Sequence, residues 1–63
     1  MTFPERLKTL RDDKGFTQQQ LAEVLNITIS SVSRYENGSR QPSIEVLIRM
    51  ADVLNVSIFF PKK

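Results

Sequence analysis

Within the stretch TQQQLAEVLNITISSVSRYENG, Thr17 to Gly38, four side chains have the types and spacing to recognise a partner: Ile29, Ser30, Ser33 and Arg34. On a helix turning about 100° per residue, with Ile29 at zero, Ser30, Ser33 and Arg34 fall at about 100°, about 40° and about 140°. Val32 and Tyr35 fall at about 300° and about 240°, so they turn inward and leave a separate outer strip. The chemistry of that strip suits base edges in the major groove of DNA. An apolar side chain can touch a thymine methyl, serine can donate to or accept from a base edge, and arginine can grip guanine O6 and N7 together. A plain solvated face is the competing reading, since one exposed isoleucine on a helix needs no explanation. The flanks decide between the two.

Those flanks offer a second type of contact. Gln18 stands in the first turn of the preceding helix, where backbone N–H groups without helical partners favour a phosphate. Thr28 opens the helix that carries the strip, and Asn37, Ser39 and Arg40 follow its end, where a nucleic-acid backbone would pass. Gln18, Thr28, Asn37, Ser39 and Arg40 are therefore the expected phosphate contacts, which fix register without reading sequence. Gln19 reads better as a solvated helix start.

Other chemistries find little support. The 63 residues contain no cysteine and no histidine, which removes disulfides, the common zinc sites and histidine-based catalysis. No metal and no cofactor is expected. Asp12 and Asp13 are adjacent, so on a helix they diverge by about 100° instead of converging. An enzyme is the poorest reading. The net charge of +2 and pI near 9.4 are mildly basic, and the placement of the charges says more than their sum. No apolar run reaches the roughly 20 residues of a membrane span, and MTFPERLK lacks a signal-type hydrophobic stretch. A chain without disulfides is compatible with a reducing cytoplasm.

Four helices must position these residues. Thr2 to Glu5 has the T-x-x-E form of a capping box, with Pro4 tolerated in the first turn. Phe3, Leu7 and Leu10 follow at helical spacing, and Lys14-Gly15 ends this helix. Thr17 starts the second helix with T-x-x-Q through Gln20, and Leu21, Ala22, Val24 and Leu25 form its apolar stripe. Asn26 follows where a positive φ is wanted, which asparagine tolerates. Thr28 caps the third helix, expected to run to Tyr35 or Glu36 and to stop at Asn37-Gly38. Ser43 caps a fourth, with Ile44, Leu47, Ile48, Ala51 and Leu54 on its buried face. Val56, Ile58, Phe59 and Phe60 form a short apolar run ended by Pro61, read as one helical turn in preference to an extended segment. The fold class is thus all-α, a compact bundle forming one domain over residues 1–63, with a helix-turn-helix unit at about 17–37.

Arg6-Leu7-Lys8, Leu10-Arg11, Gly15-Phe16-Thr17-Gln18, Leu21-Ala22, Val32-Ser33, Glu36-Asn37-Gly38, Pro42-Ser43 and Leu54-Asn55-Val56-Ser57 occur in that order. Together they resemble the phage-repressor-like helix-turn-helix family of XRE, or Cro/CI, type over roughly residues 5 to 58. The resemblance implies a lambda-repressor-like bundle of four to five helices, the fifth beginning near Ser57. It implies base reading at Ile29, Ser30 and Arg34 with Ser33 beside them, and phosphate contacts at Gln18 and Asn37. It also implies an ion pair between Arg11 of the first helix and Glu36 of the third, mainly structural in purpose. Two departures stand out: Asn26 replaces a glycine common in the turn, and Phe59-Phe60-Pro61 leaves little length for a fifth helix.

The resulting expectation is a cytoplasmic, nucleoid-associated regulator of transcription, of repressor type. It would bind a short palindromic operator in double-stranded DNA as a homodimer, with Ile58, Phe59 and Phe60 as the dimer contact or the cut end of a longer chain. An antitoxin or a restriction-modification controller would use the same contacts. The alternative class, a protein-interaction module without DNA binding, predicts acidic or broadly apolar residues on the third helix. Arg34, Gln18, Asn37 and Arg40 argue against it.

Overall fold

The computed structural model describes residues 2–55, so the expectations for Val56 to Pro61, including the fifth helix and the Ile58-Phe59-Phe60 contact, lie outside the described residues. Four helices follow one another: α1 (Phe3–Asp13), α2 (Gln18–Leu25), α3 (Ile29–Asn37) and α4 (Ile44–Leu54). The start of each is written in local chemistry. The Glu5 carboxylate accepts from the Thr2 N–H at 2.9 Å and the Thr2 hydroxyl at 3.1 Å. At α2, Thr17 Oγ1 accepts from the Gln20 N–H at 3.0 Å while Gln20 Oε1 accepts from the Thr17 N–H at 2.9 Å. Thr28 and Ser43 cap α3 and α4 through the N–H groups of Ser31 and Val46. Each such cap is worth about 1 kcal/mol, which counts in a domain this small.

Left-handed residues end all four helices, Gly15 at φ 78° following the Lys14 cap of α1. Asn26 closes α2 at φ 59°, Gly38 closes α3 at φ 82°, and Asn55 closes α4 at φ 54°. The α3 helix runs to Asn37, a residue or two past the expected end, because the reversal sits on Gly38 itself. Only two residues, Ile27 and Thr28, separate the Asn26 reversal from α3, so α2 and α3 meet through a tight turn. Ile27 also packs against the core from this turn.

Leu7 of α1, Leu21, Ala22 and Leu25 of α2, Val32 and Tyr35 of α3, and Met50 and Leu54 of α4 form the core. Pairwise, α2 packs on α3, α1 on α3, and α2 on α4. Two expectations about buried faces are corrected. Val24 is 50% exposed, because the α2 stripe centres on Leu21 and Leu25, and Val24 points about 100° away from Leu25. In α4, Ile44 and Ile48 are 65% and 55% exposed and Ala51 is half-buried, while Met50 and Leu54 are fully buried. Apart from Glu45, Arg49 and Asp52 every α4 residue is apolar, so periodicity offers two adjacent faces. The packed one joins Met50 and Leu54 to Val46, Leu47 and Val53.

Among the described residues the core also takes in a charged pair, Arg11 and Glu36. Arg11 is buried, and its Nε and Nη2 donate to Glu36 Oε2 and Oε1 at 2.6 and 3.1 Å. Its Nη1 donates to the Phe16 carbonyl at 2.8 Å and lies 3.2 Å from Asp12 Oδ1. The hydrogen bond to Glu36 raises the guanidinium above its ordinary pKa, against the opposing effect of burial. It stays charged wherever the chain folds. This clamp ties α1 to the end of α3. A second cross-link, Arg49 Nη1 donating to the Leu25 carbonyl at 3.3 Å, ties α4 to the end of α2.

Removing one side of a buried pair strands the other charge, at a cost of about 3–5 kcal/mol. Arg11→Met should therefore lose about that much in chemical denaturation. The double variant Arg11→Met/Glu36→Leu should lose clearly less than the two single losses added together, and simple additivity would deny the coupling. A smaller effect concerns acid. The bonds from Thr2, its backbone N–H first, hold the Glu5 carboxyl below its ordinary 4.5. A group with a lowered folded pKa contributes above its unfolded value and loses that contribution as pH falls through the folded value. In acid titrations Glu5→Gln should flatten this part of the stability profile while leaving the rest in place.

Candidate nucleic-acid interface

The outer strip is built by α3, which the core holds from one side through Val32, fully buried, and Tyr35, nearly so. On the opposite side Ser30 and Arg34 are exposed, Ile29 is 47% exposed, and Ser33 is half-buried. The strip is thus centred on Ser30 and Arg34, with Ile29 and Ser33 along its border. Its side chains are short at the N-terminal end and long at Arg34. A convex rod with that profile can enter a major groove about 12 Å wide.

Helix N-termini stand beside the strip. The first N–H groups of a helix have no partner within it. In α3 the Ser31 N–H is taken by Thr28 Oγ1 at 3.1 Å, which leaves those of Ile29 and Ser30 without a partner in the helix. The Thr28 hydroxyl is shared further, with Ser31 Oγ at 3.0 Å. At α2 the Gln20 N–H is likewise capped, leaving those of Gln18 and Gln19. N-terminal turns with unpartnered donors and favourable dipoles are suited to anions.

Gln18 has an additional partner that sequence reasoning missed. Its Nε2 donates to Glu36 Oε1 at 3.0 Å, so α2 joins α1 in gripping the Glu36 carboxylate. One amide hydrogen and the carbonyl oxygen of Gln18 remain available to a ligand. No spacing rule links residues 18 and 36, so nothing in the chain announces this bond. Arg49 was missed for the same reason. The geometry at Asn37 was partly legible: Asn37 Oδ1 accepts from the Ser39 N–H at 2.8 Å, and that N–H also reaches the Arg34 carbonyl at 3.1 Å. Asparagine bonding to the backbone two residues on is a known turn device. It fixes the start of the loop in which Ser39 and Arg40 stand exposed.

Electrostatically, Glu36 is the one acidic residue of α3. A bare carboxylate here would repel phosphate. Its three donors, two from Arg11 and one from Gln18, neutralise it. Arg34 and Arg40 then carry uncompensated positive charge on the exposed side, since neither takes part in an ion pair among the described residues. No group of three or more potential metal ligands occurs among the described residues.

Comparisons with known proteins agree with this geometry. YonR, an SPbeta prophage-derived HTH-type transcriptional regulator of Bacillus subtilis (strain 168), is 40% identical over 58 residues, covering 92% of this chain and 54% of its own. The cryptic phage CTXphi transcriptional repressor RstR of Vibrio cholerae is 38% identical over 58 residues, covering 92% of this chain and 52% of its own. Among solved structures, the biofilm master regulator SinR in complex with DNA superposes with a TM-score of 0.82 at 33% identity, covering 89% of this chain and 90% of that one. The chain spans about half the length of the curated relatives it matches. Residues 7–60 match the helix-turn-helix family. The chain belongs to that family, in its phage-repressor-like, XRE or Cro/CI branch.

Proposed function

We propose that this chain is the DNA-binding module of a transcriptional regulator, of repressor type, and that α3 reads base edges in the major groove. The observation that carries the proposal is the division of α3 itself. Val32 and Tyr35 anchor it in the core, while Ser30 and Arg34 stand exposed with Ile29 and Ser33 at their border. A helix-turn-helix held this way presents its second helix to the groove. The relative SinR was solved in complex with DNA, and RstR is named a repressor; both support the reading.

In this scheme Ile29, Ser30, Ser33 and Arg34 discriminate bases. The backbone N–H groups at the starts of α2 and α3 hold phosphates, joined by Gln18, Asn37, Ser39 and Arg40. Thr28 acts mainly through its backbone position, because its hydroxyl already caps α3. A single module of this size has modest surface for affinity. The chain therefore acts as a homodimer on a palindromic operator, its half-sites about one helical turn, ~34 Å, apart. Such a regulator works in the cytoplasm at the nucleoid. No described helix is long and apolar enough to cross a membrane.

Titration of duplex DNA across a salt series is the first check. Affinity should fall steeply as salt rises, because cations released from the phosphates are the signature of this binding; a flat response would rule the reading out. Selection of bound sites from a random duplex pool then supplies the operator. On that operator Arg34→Ala should cost about 1–3 kcal/mol and relax preference at one base pair. Unchanged affinity together with unchanged base preference would remove Arg34 from the reading face.

A further inference from the structure

The pair Asn37-Gly38 stands exposed at the end of α3 and has chemistry of its own. When the backbone nitrogen after an asparagine loses its proton, it can attack the side-chain amide carbon and close a cyclic imide. Glycine obstructs this least, because it has no Cβ beside that nitrogen. The other asparagines, Asn26 and Asn55, precede Ile27 and Val56, whose stiff, branched side chains crowd the attacking atom.

Local geometry brings the reacting groups together. Asn37 is the last residue of α3, and Gly38 follows in the left-handed region at φ 82°. Asn37 Oδ1 accepts from the Ser39 N–H at 2.8 Å, a bond that closes a ring around the Gly38 peptide and folds the amide over it. The same donor rests on the oxygen where negative charge develops during attack, and so favours it. One contact opposes the reaction. The Gly38 N–H donates to the Arg34 carbonyl, which engages the nitrogen while the last turn is intact. Terminal turns open more readily than helix centres, and the Asn37–Ser39 bond needs no part of the helix. Attack therefore proceeds from the opened end of α3, and whatever holds that turn closed slows it.

We propose that Asn37-Gly38 is a deamidation site whose reaction weakens DNA binding, and that bound DNA protects it. The effect on DNA rests on the reading of Asn37 as a phosphate contact; the chemistry does not. The Gly38 nitrogen gives its proton to water or hydroxide and bonds to Asn37 Cγ. The Cγ–Nδ2 bond breaks, and Nδ2 takes a proton from water and leaves as ammonia. Water then opens the imide at either carbonyl. Opening at Cγ restores the peptide and leaves an aspartate side chain. Opening at the peptide carbonyl leaves an isoaspartate, with the chain rerouted through the side-chain carbon. Each product carries a carboxylate where a neutral amide stood, and nothing is oxidised or reduced.

That carboxylate works against binding in two ways. It stands at a helix C-terminus, where the dipole already presents negative charge. It also offsets Arg40 on the side where the phosphates are expected, as a charge-changing modification does. The existing acid, Glu36, escapes this conflict through Arg11 and Gln18; those donors are engaged, and the exposed position of Asn37 lies outside their clamp. A phosphate held by the intact amide keeps the last turn closed, so a chain on DNA reacts more slowly than a free one.

Peptide mass spectrometry after incubation at mildly alkaline pH tests the site. Trypsin releases Tyr35 to Arg40, in which Asn37 is the one side-chain amide. That peptide should gain the mass of a carboxyl replacing an amide, part of it as isoaspartate, well before the peptides holding Asn26 and Asn55 change. Urea should speed the reaction, and excess duplex DNA should slow it several-fold. Asn37→Gln should not react on this timescale. Asn37→Asp, checked for folding by circular dichroism, should bind duplex DNA several-fold more weakly than Asn37→Ala, which lacks the amide but adds no charge. Where Asn37→Asp folds poorly, protection of the parent chain by DNA still decides. The proposal is overturned if the amide at 37 lasts as long as those at 26 and 55, if the unfolded chain reacts no faster than the folded one, if duplex DNA that binds leaves the rate unchanged, or if folded Asn37→Asp binds as well as Asn37→Ala. A parent chain that binds no duplex would strike the functional reading and the DNA half of the proposal, while the fate of the amide still decides the chemistry.

Discussion

The orientation of α3 depends on one carboxylate. Glu36 lies near the end of that helix and accepts two hydrogen bonds from Arg11 of α1 and one from Gln18 of α2. Three helices therefore converge on a single charged group. Buried ion pairs add little net stability, because desolvation consumes most of the attraction. What this one supplies is definition. A carboxylate with several directed donors accepts one arrangement of its neighbours, whereas the apolar contacts of Val32 and Tyr35 would tolerate small rotations. For a helix proposed to present particular side chains to particular bases, such rotations matter more than a small gain in stability.

The same group settles an electrostatic conflict. In the proposed function α3 approaches a polyanion, yet it ends in an acid. Taking Glu36 into the core side and surrounding it with Arg11 and Gln18 removes that penalty. Gln18, which helps to hold Glu36, also begins α2, where the first N–H groups have no partner within the helix. The start of α2 and the end of α3 are thus linked through one amide.

Much of this was legible in the chain because the signals are local. Thr2, Thr17, Thr28 and Ser43 announce four helix starts, and Asn26 and Gly38 announce two of the reversals, through chemistry confined to three or four neighbours. The division of α3 into buried and exposed faces follows from periodicity alone, since Val32 and Tyr35 are its apolar residues other than Ile29. Non-local bonds leave no such trace. Gln18 with Glu36, and Arg49 with the Leu25 carbonyl, join residues far apart in sequence that no spacing rule couples. Helix α4 misled for a different reason: it is apolar nearly all round, and periodicity cannot choose between adjacent apolar faces. The flexible, unbranched Met50 fills the centre of the core, while the branched Ile44 and Ile48, which pattern reading favours, face outward.

That inversion has a physical consequence for assembly. Burial contributes about 25 cal/mol per Å² of apolar surface, and a small domain can enclose only part of what it carries. An apolar face left over by the fold retains its full drive to leave water, and any association that covers it recovers the gain without disturbing the core.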